Sequence, residues 1–139
     1  MCIRDRGMAF RDSNDTDLAL DALNSAISRR WDPPGLIHHS DRGSPYASER
    51  YRARLAKIKS VASMSRTGDC WDNAVAESFF STIAHELLAD RDFDTMAEAE
   101  AAIREYVMDF YNLHRRHSTL GYVSPIEFEL QSHAAASAA

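Results

Sequence analysis

Two carboxylates in this chain stand at positions where metal-assisted phosphoryl transfer could use them. In "GLIHHSDRGSPYAS", residues 35–48, a short apolar run passes through His38, His39 and Ser40 to Asp41, beside Gly43 and Pro45. A buried strand that ends by presenting one carboxylate to solvent is a common catalytic rim. An Asp in a Gly-containing surface turn reads the same way. The second carboxylate is Glu77, within a stretch where Trp71, Val75, Phe79, Ile83 and Leu87 recur every fourth residue. With Trp71 at zero and about 100° per residue, that apolar stripe centres near ~80°, Asn73 falls near ~200° and Glu77 near ~240°. Glu77 is therefore off the core, on an edge that a strand end could reach. Like charges brought together repel unless cations sit between them, and Mg²⁺ takes oxygen ligands while keeping several waters. Taken singly, Asp41 is equally a turn former and Glu77 equally a solvated surface residue.

The elements that must position these residues are legible in outline. "DTDLALDALNSAISRRW" spaces Leu18, Leu20, Ala22, Leu23 and Ile27 as a helix, with Asp15 or Thr16 as N-cap. Pro33, Pro34 and Gly35 end it, and "GLIHH" reads as a short strand. Residues 48–58 read as a second helix, with Tyr51, Leu55 and Ile58 on one side and Arg50, Arg52, Arg54 and Lys57 on the others. "KSVAS" reads as another strand and "SRTGDCWDN" as a turn before a third helix over about 71–88. Thr95 and Glu98 form a capping box opening a fourth helix, whose apolar face is Ala99, Ala102, Ile103, Tyr106, Val107 and Phe110. "HSTLGYVSPIEF" closes the domain, and residues 131–139 read as a disordered tail. Residues 1–6 have no periodicity, are expected to be a non-native start, and are set aside from the fold. Alternating helices and strands imply an α/β layer, although two strands do not complete a sheet.

Composition narrows the classes. The chain has 139 residues, a length suited to one domain, with 45% hydrophobic and 27% charged residues. No apolar run reaches the roughly 20 residues of a membrane span. Two cysteines make no disulfide framework, so a reducing, cytoplasmic setting is expected. The net charge of −5 is unevenly spread: residues 29–66 carry nine Lys/Arg against three Asp/Glu, residues 67–110 two against eleven. A basic half can meet phosphates while an acidic half lies elsewhere or gathers metal ions; both could equally be solvated faces. His38, His39, His114, His117 and Cys70 could suggest zinc, but it is not expected, because Cys70 is single and His114 and His117 lie in a basic, polar stretch. Cys70 has no assignable base and is no nucleophile.

Thirty-five residues separate Asp41 from Glu77. At that spacing "HHSDRGSPYAS", "SMSRTGDCWDNAVAESFFSTIAHE" and "YNLHRRHSTLGYVSP" resemble successive blocks of the catalytic core of OrfB-type insertion-sequence transposases, relatives of retroviral integrases with a D,D-35-E site. The resemblance runs from about Gly7 to Glu129. It implies that Asp41 is the second catalytic Asp and Glu77 the catalytic Glu, both ligands of Mg²⁺ or Mn²⁺, with two ions in the intact enzyme. It implies site-shaping roles for His39, Ser40 and Asn73, though helix capping by Asp72 explains the "DNA" triplet as well. It favours DNA contacts by Arg115 and Arg116; Arg50, Arg54 and Lys57 are further candidates, with a solvated face as the alternative.

The family fold is RNase H-like, a mixed sheet flanked by helices. The resemblance implies that residues 7–130 are the C-terminal part of that core, a partial fold lacking the first three strands and the first catalytic Asp. Expected partners are DNA, both element ends and target, and further copies of the chain in the intact enzyme. Expected location is the bacterial cytoplasm, on the nucleoid when bound to DNA. The expected activity is strand cleavage and strand transfer, weak or lost in this chain alone. A non-catalytic DNA-contacting or interaction fragment is the alternative, and an RNase H-like nuclease outside transposition ranks last.

Overall fold

The computed structural model describes residues 4–29, 35–66 and 73–137. They fall into two compact units, residues 6–78 and residues 79–137 with 4–5.

In the first unit, helix α1 (Thr16–Arg29) starts where Asp15 Oδ1 accepts the Leu18 N–H at 2.9 Å, so Asp15 is the cap. Strand β1 (Ile37–Ser40) leads to a short helix α2 (Ser44–Ala47) with Pro45 in its first turn, then to α3 (Glu49–Lys57). The second helix of the sequence reading is thus preceded by an extra turn. Ser48 separates the two because it is extended and its hydroxyl caps Tyr51 N–H at 3.2 Å. Strand β2 (Val61–Met64) lies one to two residues beyond its expected place, because Lys59, at φ 58°, turns the chain first. β1 and β2 pair in parallel, Ile37 against Val61 through Ser40 against Met64. Parallel pairing follows from the helical crossover between them. A mixed sheet was expected; among the described residues this one is purely parallel. The core is Leu23, Tyr51 and Leu55, with Ala19, Leu20, Ile27, Tyr46 and Ile58 packed on it. Gly7 lies so close to α1 that a Cβ would fall 2.3 Å from Ala26 N.

Helix α4 (Ala74–Ile83) begins just after Asn73; its expected start at Trp71 lies outside the described residues, as does Asp72. It widens into a π-helical turn, Ala84–Leu88. The apolar stripe is buried only in its second half: Ile83 and Leu87 are buried and Val75 is exposed.

In the second unit, helix α5 (Met96–Glu105) is capped by Thr95, whose hydroxyl accepts from Glu98 N–H at 3.2 Å. Glu98 reaches back to the Asp94 N–H, one residue before the cap. The helix then winds into a second π-helical segment, Tyr106–Tyr111. Phe110 departs from the apolar face expected of this helix. Tyr106, Val107 and Tyr111 are buried and Phe110 is 45% exposed, because i→i+5 winding rotates Phe110 out and Tyr111 in.

A 3₁₀ turn (Ser118–Leu120) and left-handed Gly121 and Tyr122 close a loop bridged from His117 to Val123. Helix α6 (Pro125–Ser137) continues through the stretch expected as a tail. Alanine-rich sequence favours helix locally, yet residues 130–137 are all exposed. Residues 4 and 5, set aside in the sequence reading, take part in this unit. Arg4 pairs with Glu129 at 2.6 Å, and buried Asn112 exchanges both its amide bonds with the backbone of Asp5.

Candidate active site

The C-terminal end of β1 carries the first candidate. Asp41 follows Ser40 directly and is exposed. Its Oδ1 accepts the Gly43 N–H at 2.8 Å, the turn expected of an Asp two residues before a glycine. A Cβ at Gly43 would fall 2.9 Å from that same oxygen, so the glycine keeps space for the carboxylate. The charge of Asp41, after burial itself, raises the pKa of Tyr46.

The strand end is tied down around Asp41. Ser65 N–H donates to Ser40 O at 2.9 Å, and Ser65 Oγ reaches the same oxygen at 3.3 Å. Arg42 Nε donates to Ser65 O at 2.8 Å, and Ser40 Oγ donates to Asp41 O at 3.0 Å. His39 lies between Ser63 Oγ at 2.9 Å and Ser65 Oγ at 3.3 Å. His38, on the opposite face of the strand, meets Tyr51 Oη at 3.0 Å; burial lowers the His38 pKa and pushes that of Tyr51 up to about 12. Sequence reasoning singled out His39 and Ser40 but missed Ser65 and Arg42, because a serine just past a strand carries no periodic signal.

Glu77 lies in the first turn of α4, exposed, one turn after half-buried Asn73. A carboxylate there interacts favourably with the positive end of the helix. Asp41 and Glu77 belong to the same unit. Among the described residues no three His, Cys, Asp or Glu side chains gather as a metal-holding group. The donors fit a hard divalent cation in kind, being carboxylate oxygens, and fall short of a full site in number.

The basic candidates divide. Arg50 pairs with Asp17 at 2.7 Å, and Arg54 Nε donates to Asn24 Oδ1 at 2.8 Å, so both join α3 to α1. Lys57 and Arg116 are exposed and form no ion pair among the described residues. Arg115 is committed to Glu86, through Nε at 2.9 and 3.0 Å and Nη2 at 2.6 Å. That bond lowers the Glu86 pKa and raises that of Arg115. The Arg115 guanidinium also lies 5.7 Å from the Tyr111 ring centre, and its Nη1 donates to His117 Nδ1 at 3.2 Å. No helix of the described residues is long and apolar enough to cross a membrane.

Comparison with known proteins decides the lineage. Two integrase core domain profiles match, over residues 6–70 and 59–125. The chain belongs to the integrase-core family of insertion-sequence transposases. It is 44% identical over 112 residues to the transposase for insertion sequence element IS904 of Lactococcus lactis, covering 81% of this chain and 44% of that protein. It is 46% identical over 112 residues to an uncharacterized 31 kDa protein of insertion element IS600 from Shigella sonnei, covering 81% of this chain and 41% of that one. Transposase InsF of insertion sequence IS3fB from Escherichia coli is 41% identical over 115 residues, 83% of this chain and 40% of InsF. The chain thus spans about two-fifths of the length of these relatives. An integrase core implies an RNase H-like fold, and the β1–α–β2 unit with its flanking helices is a mixed helical arrangement around a small parallel sheet.

Proposed function

We propose that residues 7–130 form the later part of an RNase H-like transposase core, contributing two of the three carboxylates used to cut and join DNA. In this reading Asp41 and Glu77 hold Mg²⁺ or Mn²⁺, two ions in the complete site, and the first Asp comes from sequence outside this chain. The observation that carries it is the placement of Asp41. It ends a parallel strand, faces solvent, and has one oxygen already oriented by Gly43 N–H. Ions held by Asp41 and Glu77 would supply activation of the attacking oxygen and stabilisation of the leaving one. The chain's own residues do the rest. Gly43 N–H fixes the rotation of the Asp41 carboxylate, the α4 N-terminus steadies Glu77, and Asn73 shapes the site one turn before it. Lys57 and Arg116 contact phosphates, with Arg50 and Arg54 beside Lys57 on α3 as secondary contacts. Arg115 contributes by holding the loop that carries Arg116. The substrate is DNA, at element ends and target; the complete enzyme acts as an oligomer in the cytoplasm and on the nucleoid.

The test is Mn²⁺-dependent strand cleavage by this chain and by a form extended with the earlier core strands of the Lactococcus relative. Activity is expected in the extended form only, falling by orders of magnitude with Asp41→Asn or Glu77→Gln. Cleavage by the extended form that survives both substitutions would remove these residues from the site. DNA binding without cleavage in either form would favour a non-catalytic DNA-contacting chain.

A further inference from the structure

We propose that Ser65 is a positioning residue for Asp41, a clasp that holds the backbone just before the carboxylate and the side chain just after it and, with His39 and Arg42, prepares it to bind a divalent cation. The proposal rests on the assignment of Asp41 as a metal ligand and extends it to residues beyond the strand end.

Ser65 lies one residue past β2 and is 6% exposed. Its N–H continues the parallel ladder one step beyond the last strand pair, donating to Ser40 O at 2.9 Å. Its carbonyl accepts from Arg42 Nε at 2.8 Å. Ser40 and Arg42 flank Asp41, so one buried residue bonds the backbone immediately before the carboxylate and the guanidinium immediately after it. The freedom left to Asp41 is that of its side chain, and Gly43 N–H restricts this through Oδ1. Oδ2 has no protein partner among the described residues and remains for a ligand.

The hydroxyl of Ser65 has a single proton, which it donates to Ser40 O at 3.3 Å. Towards His39 it must therefore accept, and Nε2 must carry a hydrogen. In the neutral ring Nδ1 then accepts from Ser63 Oγ at 2.9 Å. The hydrogen bonds run in one direction, Ser63 to His39 to Ser65 to the carbonyl preceding Asp41. Each bond polarises the next. If Ser65 merely ended the sheet, its N–H would suffice; the hydroxyl, the Arg42 bond and the His39 ring add a defined orientation at the ligand. Outer partners of this kind set metal affinity through the ligands they hold.

The experiment is a Mn²⁺ titration of the ¹⁵N-labelled chain, read as paramagnetic broadening of the backbone amides. In the unaltered chain the amides of residues 41–43 broaden first, and Asp41→Asn removes the effect. Ser65→Ala keeps the ladder bond but is expected to move the Mn²⁺ midpoint up by about tenfold, with Ser65→Thr recovering most of that loss. In Ser65→Ala the Gly43 amide loses its hydrogen-exchange protection while the amides of α3 keep theirs, a pattern general destabilisation would not give. Arg42→Lys, at an exposed position, retains the charge and removes the Nε–H bond, so its midpoint moves the same way even if Ser65→Ala fails to fold. An unchanged midpoint and an unchanged Gly43 amide in both Ser65→Ala and Arg42→Lys, or in Arg42→Lys alone if Ser65→Ala does not fold, would overturn the clasp. Absence of broadening near Asp41 both in the unaltered chain and in the form extended with the earlier core strands would overturn the metal assignment instead, and Gly43 protection would still decide the clasp.

Discussion

A guanidinium engaged inside the protein is less available to a phosphate, and Arg115 is engaged internally. Glu86 accepts a bidentate pair from it, together with the Tyr106 hydroxyl at 2.5 Å. Such charge-assisted forks are among the stronger polar contacts. Tyr106 responds as a buried phenol beside a carboxylate should, with its pKa raised well above the ordinary range. Arg115→Met is expected to destabilise the chain by about 1 kcal/mol, the low end for a broken polar pair, because Glu86 is partly exposed and water replaces the lost donor. Arg116→Met should change stability by less than about 0.5 kcal/mol while lowering the salt slope of DNA binding by about one. Denaturant unfolding and DNA titrations at several salt concentrations separate the two. Unchanged stability with a reduced salt slope in Arg115→Met would restore Arg115 as a phosphate contact.

At the scale of elements, what was legible depended on how local the controlling chemistry is. Asp15 and Thr95 cap helices through their own neighbours, and β1 follows soon after a Pro-Pro-Gly break, so a single pass along the chain finds them. Asp41 was legible as the end of that strand. The Ser65 clasp was not, because it joins residues on two strands through atoms that no spacing encodes. The π-helical turns were also hidden, since a 3.6-residue period places Phe110 inside. They accompany distant anchors: Asn112 N–H bonds back to Val107 O at 3.1 Å while its side chain holds Asp5 and its carbonyl accepts from Ile126 N–H. If the register is as described, Tyr111→Ala should cost about 3–5 kcal/mol, the range of a large core aromatic, and Phe110→Ala less than about 1 kcal/mol. Equal losses in urea unfolding would mean that regular α-helical winding persists through residue 110.

For the molecule as a whole, the sheet is one of the places where burial is incomplete. One face of the β1–β2 pair meets α3 through His38 and Tyr51. On the other, Ile37 and Val61 stand directly opposite each other at 68% and 54% exposure, beside Leu36 at 41%. Apolar cross-strand pairs contribute most when they are covered, and a two-stranded sheet also has two open edges. These features favour edge and face contacts between copies when the chain is alone in solution. Light scattering across a range of protein concentrations should show reversible association. The double substitution Ile37→Thr and Val61→Thr keeps β-branched side chains in both strands and should shift the chain towards monomer. Its stability should change by less than about 1 kcal/mol, since neither side chain is buried. Leu55→Ala, in the α1–α3 core, should instead cost about 2–5 kcal/mol and leave the association of the still-folded fraction unchanged. If the Thr pair leaves association untouched, the exposed sheet face is not its cause, and the other exposed apolar side chains, Phe80 and Leu130 first, become the surfaces to test.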